Sequence, residues 1–310
     1  LYIYALQWGY LGCAAATTTF QLIQPFFILR YLFLTQTGRA RTLRCMGAGA
    51  IGRTSLSFWV EAKIAISHTR GIIQYLGLAL PGIIAISEWW ASETAIFLAG
   101  RLLPFPELAL GAMTLYQSVN SFCYMLPQGL SVAGATRVGN LLGAGRPAGA
   151  AWAAKVSVFL AGITSGLIGC VLFLTPHGFL PSLFAPDETD LILQASRLIP
   201  LLSLYVSADG IQSALNGIIK GCGRQVVTMP IVVFAYWIVG IPLAYYLAFV
   251  HHDGVMLCED SYFCGTVGLV TGLTVGTWVH MLLLGAVVVG TTNWDTEAKK
   301  AKDRVVSASH

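Results

Sequence analysis

Residues 226–250 read VVTMPIVVFAYWIVGIPLAYYLAFV, a run without a single Asp, Glu, Lys or Arg. An α-helix rises about 1.5 Å per residue, so a helical run of this length is about 37 Å long. That is enough to cross the roughly 30 Å hydrocarbon core of a lipid bilayer. The run therefore predicts a transmembrane helix.

The rest of the chain has the same character. Of the 310 residues, 56% are hydrophobic and only 10% are charged, whereas about 25% are charged in an average soluble domain. Open sheet edges cannot be satisfied in lipid, so the expected fold class is an all-α membrane protein with seven transmembrane helices. The predicted spans are 3–34, 72–100, 108–135, 152–176, 191–217, 226–250 and 266–291.

Lys and Arg residues concentrate in alternate connections between these spans or at the adjoining span ends, where 16 of the 18 basic residues lie. Cytoplasmic connections of membrane proteins carry an excess of Lys and Arg. The segment 36–70, the turns at 137–155 and 220–224, and the tail 292–310 are therefore predicted to be cytoplasmic. Within the first of them, residues 57–66 (SFWVEAKIAI) fit either an interfacial helix or a plain loop.

Cys258 and Cys264 fall in a short connection predicted to lie on the opposite side. An oxidising compartment there permits a disulfide, and two free thiols are the alternative. No spacing of Cys and His indicates a metal site. The glycine turns at 143–145 and 221–223 lack the Lys-Ser/Thr ending of a phosphate loop. We therefore expect no cofactor, no metal and no nucleic-acid partner.

Ionisable side chains inside predicted spans are rare and usually mark a functional site. Asp209 lies 12 residues after Arg197 and 11 before Lys220, which places it about 16–18 Å from each, near the middle of the bilayer. Glu88 also lies well inside its span. Glu93 is nearer the end of that span and, at 100° per residue, points about 140° away from Glu88, so it is the weaker candidate.

No basic residue is expected deep enough to neutralise these acids. Hydrocarbon favours the uncharged form of a carboxyl, so Glu88 and Asp209 are predicted to bind a proton or to exchange it for a cationic ligand. Aromatic faces and amides on nearby spans are expected to line the cavity, although packing is the more ordinary role for any one of the aromatic residues. These candidates are Trp89, Trp90, Tyr116, Asn120, Tyr205, Gln212 and Asn216.

Three long stretches resemble eukaryotic members of the multidrug and toxic compound extrusion (MATE) family. They are LPGIIAISEWWASE at 80–93, YMLPQGLSVAGATRVGNLLGAG at 124–145, and DGIQSALNGIIKGCGRQ at 209–225. They occur in the order and at the spacing of that family.

The resemblance implies a protein of twelve helices in two six-helix lobes, of which this chain holds the sixth helix (1–35), the connection between the lobes (36–70), the C-terminal lobe (71–291) and a tail (292–310). The N-terminal lobe of the same protein would be its partner. The resemblance also implies a protonation site at Glu88 and Asp209. Some animal members carry a further acid where this chain has Ser118, so a cavity with three carboxyls is not expected.

The leading functional prediction is a proton-coupled antiporter that exports organic cations or amphipathic small molecules across the plasma membrane or a vacuolar-type membrane. Sodium as the coupling ion stays open. Two alternatives are a seven-helix receptor and a lipid or metabolite flippase. An enzyme is not expected, because the chain has neither a paired nucleophile and base nor a metal cluster.

Overall fold

The computed structural model describes residues 8–34, 69–258 and 261–307, and the regular secondary structure of these residues is helical. The all-α fold class predicted from the sequence is therefore confirmed. The chain divides into two compact units, residues 1–75 and residues 76–308. The run at 57–66, with its two interpretations, lies outside the described residues.

The first unit contains helix α1, Gly9–Leu34, which corresponds to the first predicted span. Its threonine hydroxyls bond within the helix, as when Thr18 Oγ1 donates to the carbonyl oxygen of Ala14 at 2.9 Å. Large apolar side chains such as Phe20 and Phe26 are exposed along α1. A bilayer would cover such a surface.

The remaining helices follow in chain order, and together they cover the other six predicted spans. Helix α9 is continuous and includes wider π-helical turns at Val233–Gly240 and Tyr246–Val250. The helices are α2 (Thr69–Ala85), α3 (Ser87–Ala99), α4 (Pro106–Gly143), α5 (Pro147–Leu174), α6 (Phe179–Phe184), α7 (Thr189–Ser196), α8 (Ile199–Gly221), α9 (Gln225–Val250), α10 (Gly265–Thr291) and α11 (Trp294–Ser307).

Three of the described helices, α5, α9 and α10, are individually long and apolar enough to cross a membrane. The pair α7 and α8, bent by 47°, makes a fourth if it is one span. Helix α4 is longer than any of these but is less apolar, since it carries amides and Arg137 among its apolar residues.

Two predicted spans are broken rather than continuous. The span predicted at 72–100 divides at Ile86, where Ile86 N bonds Ile83 O and Trp89 N bonds Ile86 O instead of the carbonyls four residues back. The span predicted at 191–217 divides between α7 and α8. Pro200 explains this break, because proline has no N–H to continue a helix and fits its first turn.

Helix α8 lies at the centre of the second unit, packed against α4, α5 and α10, and most of its residues are buried. Its close approach to α4 depends on glycine, because a Cβ added at Gly221 would lie 2.7 Å from the carbonyl oxygen of Ala135. Between the same helices, Ser131 Oγ donates to the Ser213 carbonyl oxygen at 2.6 Å.

The α4–α5 turn, the end of α8 and the tail pack together at one end of this unit. No helix is predicted for the tail from its sequence, but residues 294–307 form helix α11. The reason is an apolar stripe among its charges: Ala298 is buried in a cluster with Leu142, Ala150 and Ile218, and Trp294 packs against that cluster. These connections are three of those predicted to be cytoplasmic, so the structure places them at one end, as that prediction requires.

Candidate functional site

Glu88 and Asp209 line one small cavity. Glu88 is in the first turn of α3, directly after the break at Ile86, and Asp209 is in the middle of α8. The cavity is about 20 Å³, which is room for about one water molecule. Its other lining residues are Trp89, Ser92, Gln117, Asn120, Ser121, Tyr124 and Tyr205.

The Glu88 carboxylate has polar neighbours from two helices. Gln212 Nε2, one turn after Asp209 on α8, donates to Glu88 Oε2 at 2.6 Å. From α10, His280 Nδ1 lies 3.5 Å from the same oxygen, a distance slightly too long for a good hydrogen bond. The Glu88 side chain is 18% exposed, while His280 is fully buried.

A chain of hydrogen bonds holds Gln212 in place. Tyr236 on α9 donates its hydroxyl hydrogen to Gln212 Oε1 at 3.2 Å, and its hydroxyl oxygen lies 3.0 Å from Thr277 Oγ1 on α10. The ring of Tyr236 meets the ring of His280 edge to face, with centroids 5.5 Å apart. The orientation of Glu88 is therefore coupled through side chains to helices α8, α9 and α10.

Asp209 has different surroundings. Its residue exposure is 6%, and within the described part of the chain it has no hydrogen-bond or ion-pair partner. Two aromatic residues lie nearby, Tyr116 on α4 and Tyr205 on α8, with ring centroids 6.4 Å apart in an edge-to-face arrangement. The Tyr116 hydroxyl and Asn120 Oδ1 are buried without a partner among the described residues. Asn120 lines the cavity and Tyr116 does not, so the cavity wall includes one unsatisfied amide oxygen.

Other predicted residues lie elsewhere. Trp90 is 52% exposed and does not line the cavity; the neighbouring Trp89 lines it instead, because one step along a helix turns the side chain by about 100°. Glu93 is exposed. Asn216 is buried, but it is not part of the cavity wall.

The expectation that no basic residue lies deep enough to neutralise the acids left out histidine: His280 Nδ1 lies 3.5 Å from Glu88 Oε2. His280 is 15 residues after the start of α10 and 11 before its end, so it lies near the middle of the predicted span. The rule that singled out Asp209 applies equally to histidine. The signal was therefore present in the sequence.

Cys258 and Cys264, the two cysteines of the short connection before α10, are joined as a disulfide in the structure. The same connection is fixed to the α3–α4 loop by two backbone hydrogen bonds: Leu103 N donates to Gly254 O at 2.9 Å and Met256 N to Leu103 O at 2.7 Å. Both contacts lie at the end of the unit opposite α11.

The cavity and its helices lie within a region with recognisable relatives. A model of the MatE family matches residues 82–246, which include both carboxyls and all of α4, α5 and α8. The chain belongs to the MATE family. The resemblance noted from its motifs is thus confirmed, and with it the assignment as an integral membrane protein rather than an enzyme.

Among curated MATE relatives, Protein DETOXIFICATION 14 of Arabidopsis thaliana is 34% identical over 247 residues, covering 79% of this chain and 48% of the relative. Protein DETOXIFICATION 16 of the same plant is 34% identical over 280 residues, covering 84% of this chain and 54% of the relative. This chain spans about half the length of the curated MATE proteins that it matches.

Two solved MATE structures share the fold. The crystal structure of the eukaryotic MATE transporter AtDTX14 aligns with a TM-score of 0.76 and 30% identity, covering 98% of this chain and 60% of that chain. An inward-facing multidrug resistance MATE transporter of the MOP superfamily aligns at 0.50 with 20% identity, over 71% of this chain and 48% of that one. The second likeness concerns the fold alone.

Proposed function

We propose that this chain is the ion-coupling half of a MATE antiporter, in which protonation of Glu88 and Asp209 is coupled to the export of an organic cation or amphipathic substrate. The observation that carries the proposal is the pair of carboxyls, on α3 and α8, around one cavity of about 20 Å³. No Arg or Lys contacts either acid within the described residues. Two acids that line one small cavity between membrane helices are the arrangement expected of a proton-relay site.

The size of the cavity separates the proposed site of proton binding from the site of substrate binding. A space for about one water molecule holds a proton carrier or a small ion, and it excludes a drug-sized molecule, which needs a pocket of about 300 Å³ or more. The organic substrate would therefore bind outside this cavity, in the cleft that the rest of the protein closes. Alternating access between two lobes would then link proton entry to substrate release.

His280 completes the proposed site. With Gln212 it provides two nitrogen atoms facing one oxygen of Glu88, at 3.5 and 2.6 Å. Glu88 therefore has two polar neighbours, whereas Asp209 has no hydrogen-bond or ion-pair partner within the described residues. We therefore assign Asp209 as the proton carrier and Glu88 as the acid whose charge the network regulates.

Membership of a family whose solved members are transporters favours this function over the receptor alternative. The test is efflux of tetraphenylphosphonium from proteoliposomes that contain the full-length protein, driven by an imposed proton gradient or, separately, by a sodium gradient. We expect proton-driven efflux in the wild type and none in the Glu88→Gln, Asp209→Asn double variant. Sodium-driven efflux alone would contradict proton coupling, and normal proton-driven efflux by the double variant would contradict the assigned residues.

A further inference from the structure

A second and much larger concavity lies between α4 and α5, beside the turn that joins them. This groove has a volume of about 900 Å³. None of its lining residues also lines the cavity of Glu88 and Asp209. The groove is therefore separate from the proposed coupling site.

The groove is basic at one end and apolar at the other. Arg146 lies in the α4–α5 turn and Arg137 lies near it on α4, while Leu130 and Leu160 line the deep end. Leu160 is 13 residues into α5, about 20 Å from the turn. One leaflet of the hydrocarbon core is about 15 Å deep, so the groove reaches from the membrane surface through a whole leaflet.

The two arginines are available to a ligand. Both are exposed, and neither forms a hydrogen bond or ion pair with any residue that the structure describes. Trp152, also in the groove, is 69% exposed, and exposed tryptophan is typical of the headgroup level of a bilayer. The basic end of the groove thus has the composition of a membrane–water interface.

Small residues leave space in the groove, beneath the arginines, for a long apolar ligand. Ala133 and Gly134 on α4 face Ala153 and Ser157 on α5 across the groove. The helices are close there, since a Cβ added at Gly134 would lie 2.7 Å from Ser157 Oγ. A long apolar ligand would pass over this floor toward Val156.

We infer that this groove binds one anionic phospholipid, with its phosphate at Arg137 and Arg146 and an acyl chain along the apolar wall. Guanidinium groups recognise phosphate through paired hydrogen bonds, and basic pockets between membrane helices suit anionic headgroups. The bilayer that surrounds an integral membrane protein supplies this ligand. If the orientation predicted from the sequence is right, the lipid comes from the cytoplasmic leaflet.

The test is native mass spectrometry of the delipidated full-length protein titrated with phosphatidylglycerol or with phosphatidylcholine. We expect the wild type to bind phosphatidylglycerol at least about 30-fold more tightly, on the order expected for two basic residues near an anionic headgroup. Arg137→Gln with Arg146→Gln should remove this preference. Ala133→Phe, which keeps both arginines but fills the groove, should weaken binding of the lipid and leave the charge-state distribution and helicity of the protein unchanged.

The matched control is Arg101→Gln with Arg197→Gln, which removes the same charge at the opposite end of the unit. It should bind phosphatidylglycerol as the wild type does. Glycerol phosphate, which carries the anion without acyl chains, should not displace the lipid at equal concentration. Equal binding of the two lipids by the wild type, equal losses in the control and the Arg137 and Arg146 variant, or displacement by glycerol phosphate would each overturn the inference.

Discussion

The two carboxyls of the cavity differ in how the protein accommodates them. Glu88, on α3, accepts a hydrogen bond from Gln212 and lies 3.5 Å from a ring nitrogen of His280. Asp209, on α8, is more deeply buried and has no partner in the described residues. A buried acid without a partner is costly when charged, so a proton is the simplest way to satisfy it. The comparison therefore predicts that the two acids are not interchangeable.

The largest effect should come from Asp209→Asn. The amide keeps the shape of the side chain but cannot carry a proton, so proton-driven efflux should fall to the level of liposomes without protein. Because nothing in the described structure depends on a charge at this position, expression and detergent stability should stay near wild type. Retention of more than half of the wild-type efflux rate would show that Asp209 is not the carrier.

A smaller loss is expected for Glu88→Gln. The variant keeps a side chain that Gln212 can meet by turning its own amide, but it loses the charge that strengthens this hydrogen bond. We expect efflux to fall about tenfold, which corresponds to about 1.4 kcal/mol, close to the lower value for a hydrogen bond to a charged group. A larger loss than in Asp209→Asn, measured in the same proteoliposomes, would reverse the proposed roles.

Substitution of His280 should change the pH dependence of transport more than its maximal rate. His280→Phe keeps an aromatic ring beside Tyr236 but removes the nitrogen that faces Glu88, so Glu88 keeps only its hydrogen bond from Gln212. The pH profile of efflux should therefore shift relative to that of the wild type.

His280→Asn offers an amide donor in place of the ring nitrogen and should restore part of that shift. Identical pH profiles for the wild type and His280→Phe would show that the histidine only fills space. Lost expression in both variants, with an unchanged profile in the protein that remains, would lead to the same conclusion.

The smallest effect is expected at Glu93, which is on the same helix as Glu88 but is exposed. Glu93→Gln removes an identical charge only five residues away, so it is the matched control for Glu88→Gln. Its efflux should stay within about twofold of wild type, as for most surface substitutions. A tenfold loss would mean that α3 contributes through its overall charge.

The sequence could predict the two acids because a carboxyl in an apolar run is conspicuous without any structure. It could not predict which tryptophan lines the cavity, since Trp89 and Trp90 differ only in the rotation of α3, and the break at Ile86 sets that rotation. The depth of His280 in the membrane could be predicted from the sequence. Its contact with Glu88 could not, because the distance between them depends on how α10 packs against α3. Helix α11 could not be predicted from the sequence, because its few apolar residues are spread among Lys and Asp residues.

The coupling between protonation of this carboxyl pair and binding of a cationic substrate can be tested without transport. Purified full-length protein in weakly buffered detergent solution is mixed with tetraphenylphosphonium, and proton release is followed with a pH-sensitive dye while binding is measured in parallel. We expect release of about one proton for each cation bound by the wild type, and none from the Glu88→Gln, Asp209→Asn double variant. Cation binding by the wild type without proton release across the physiological pH range, or equal release from the double variant, would contradict it.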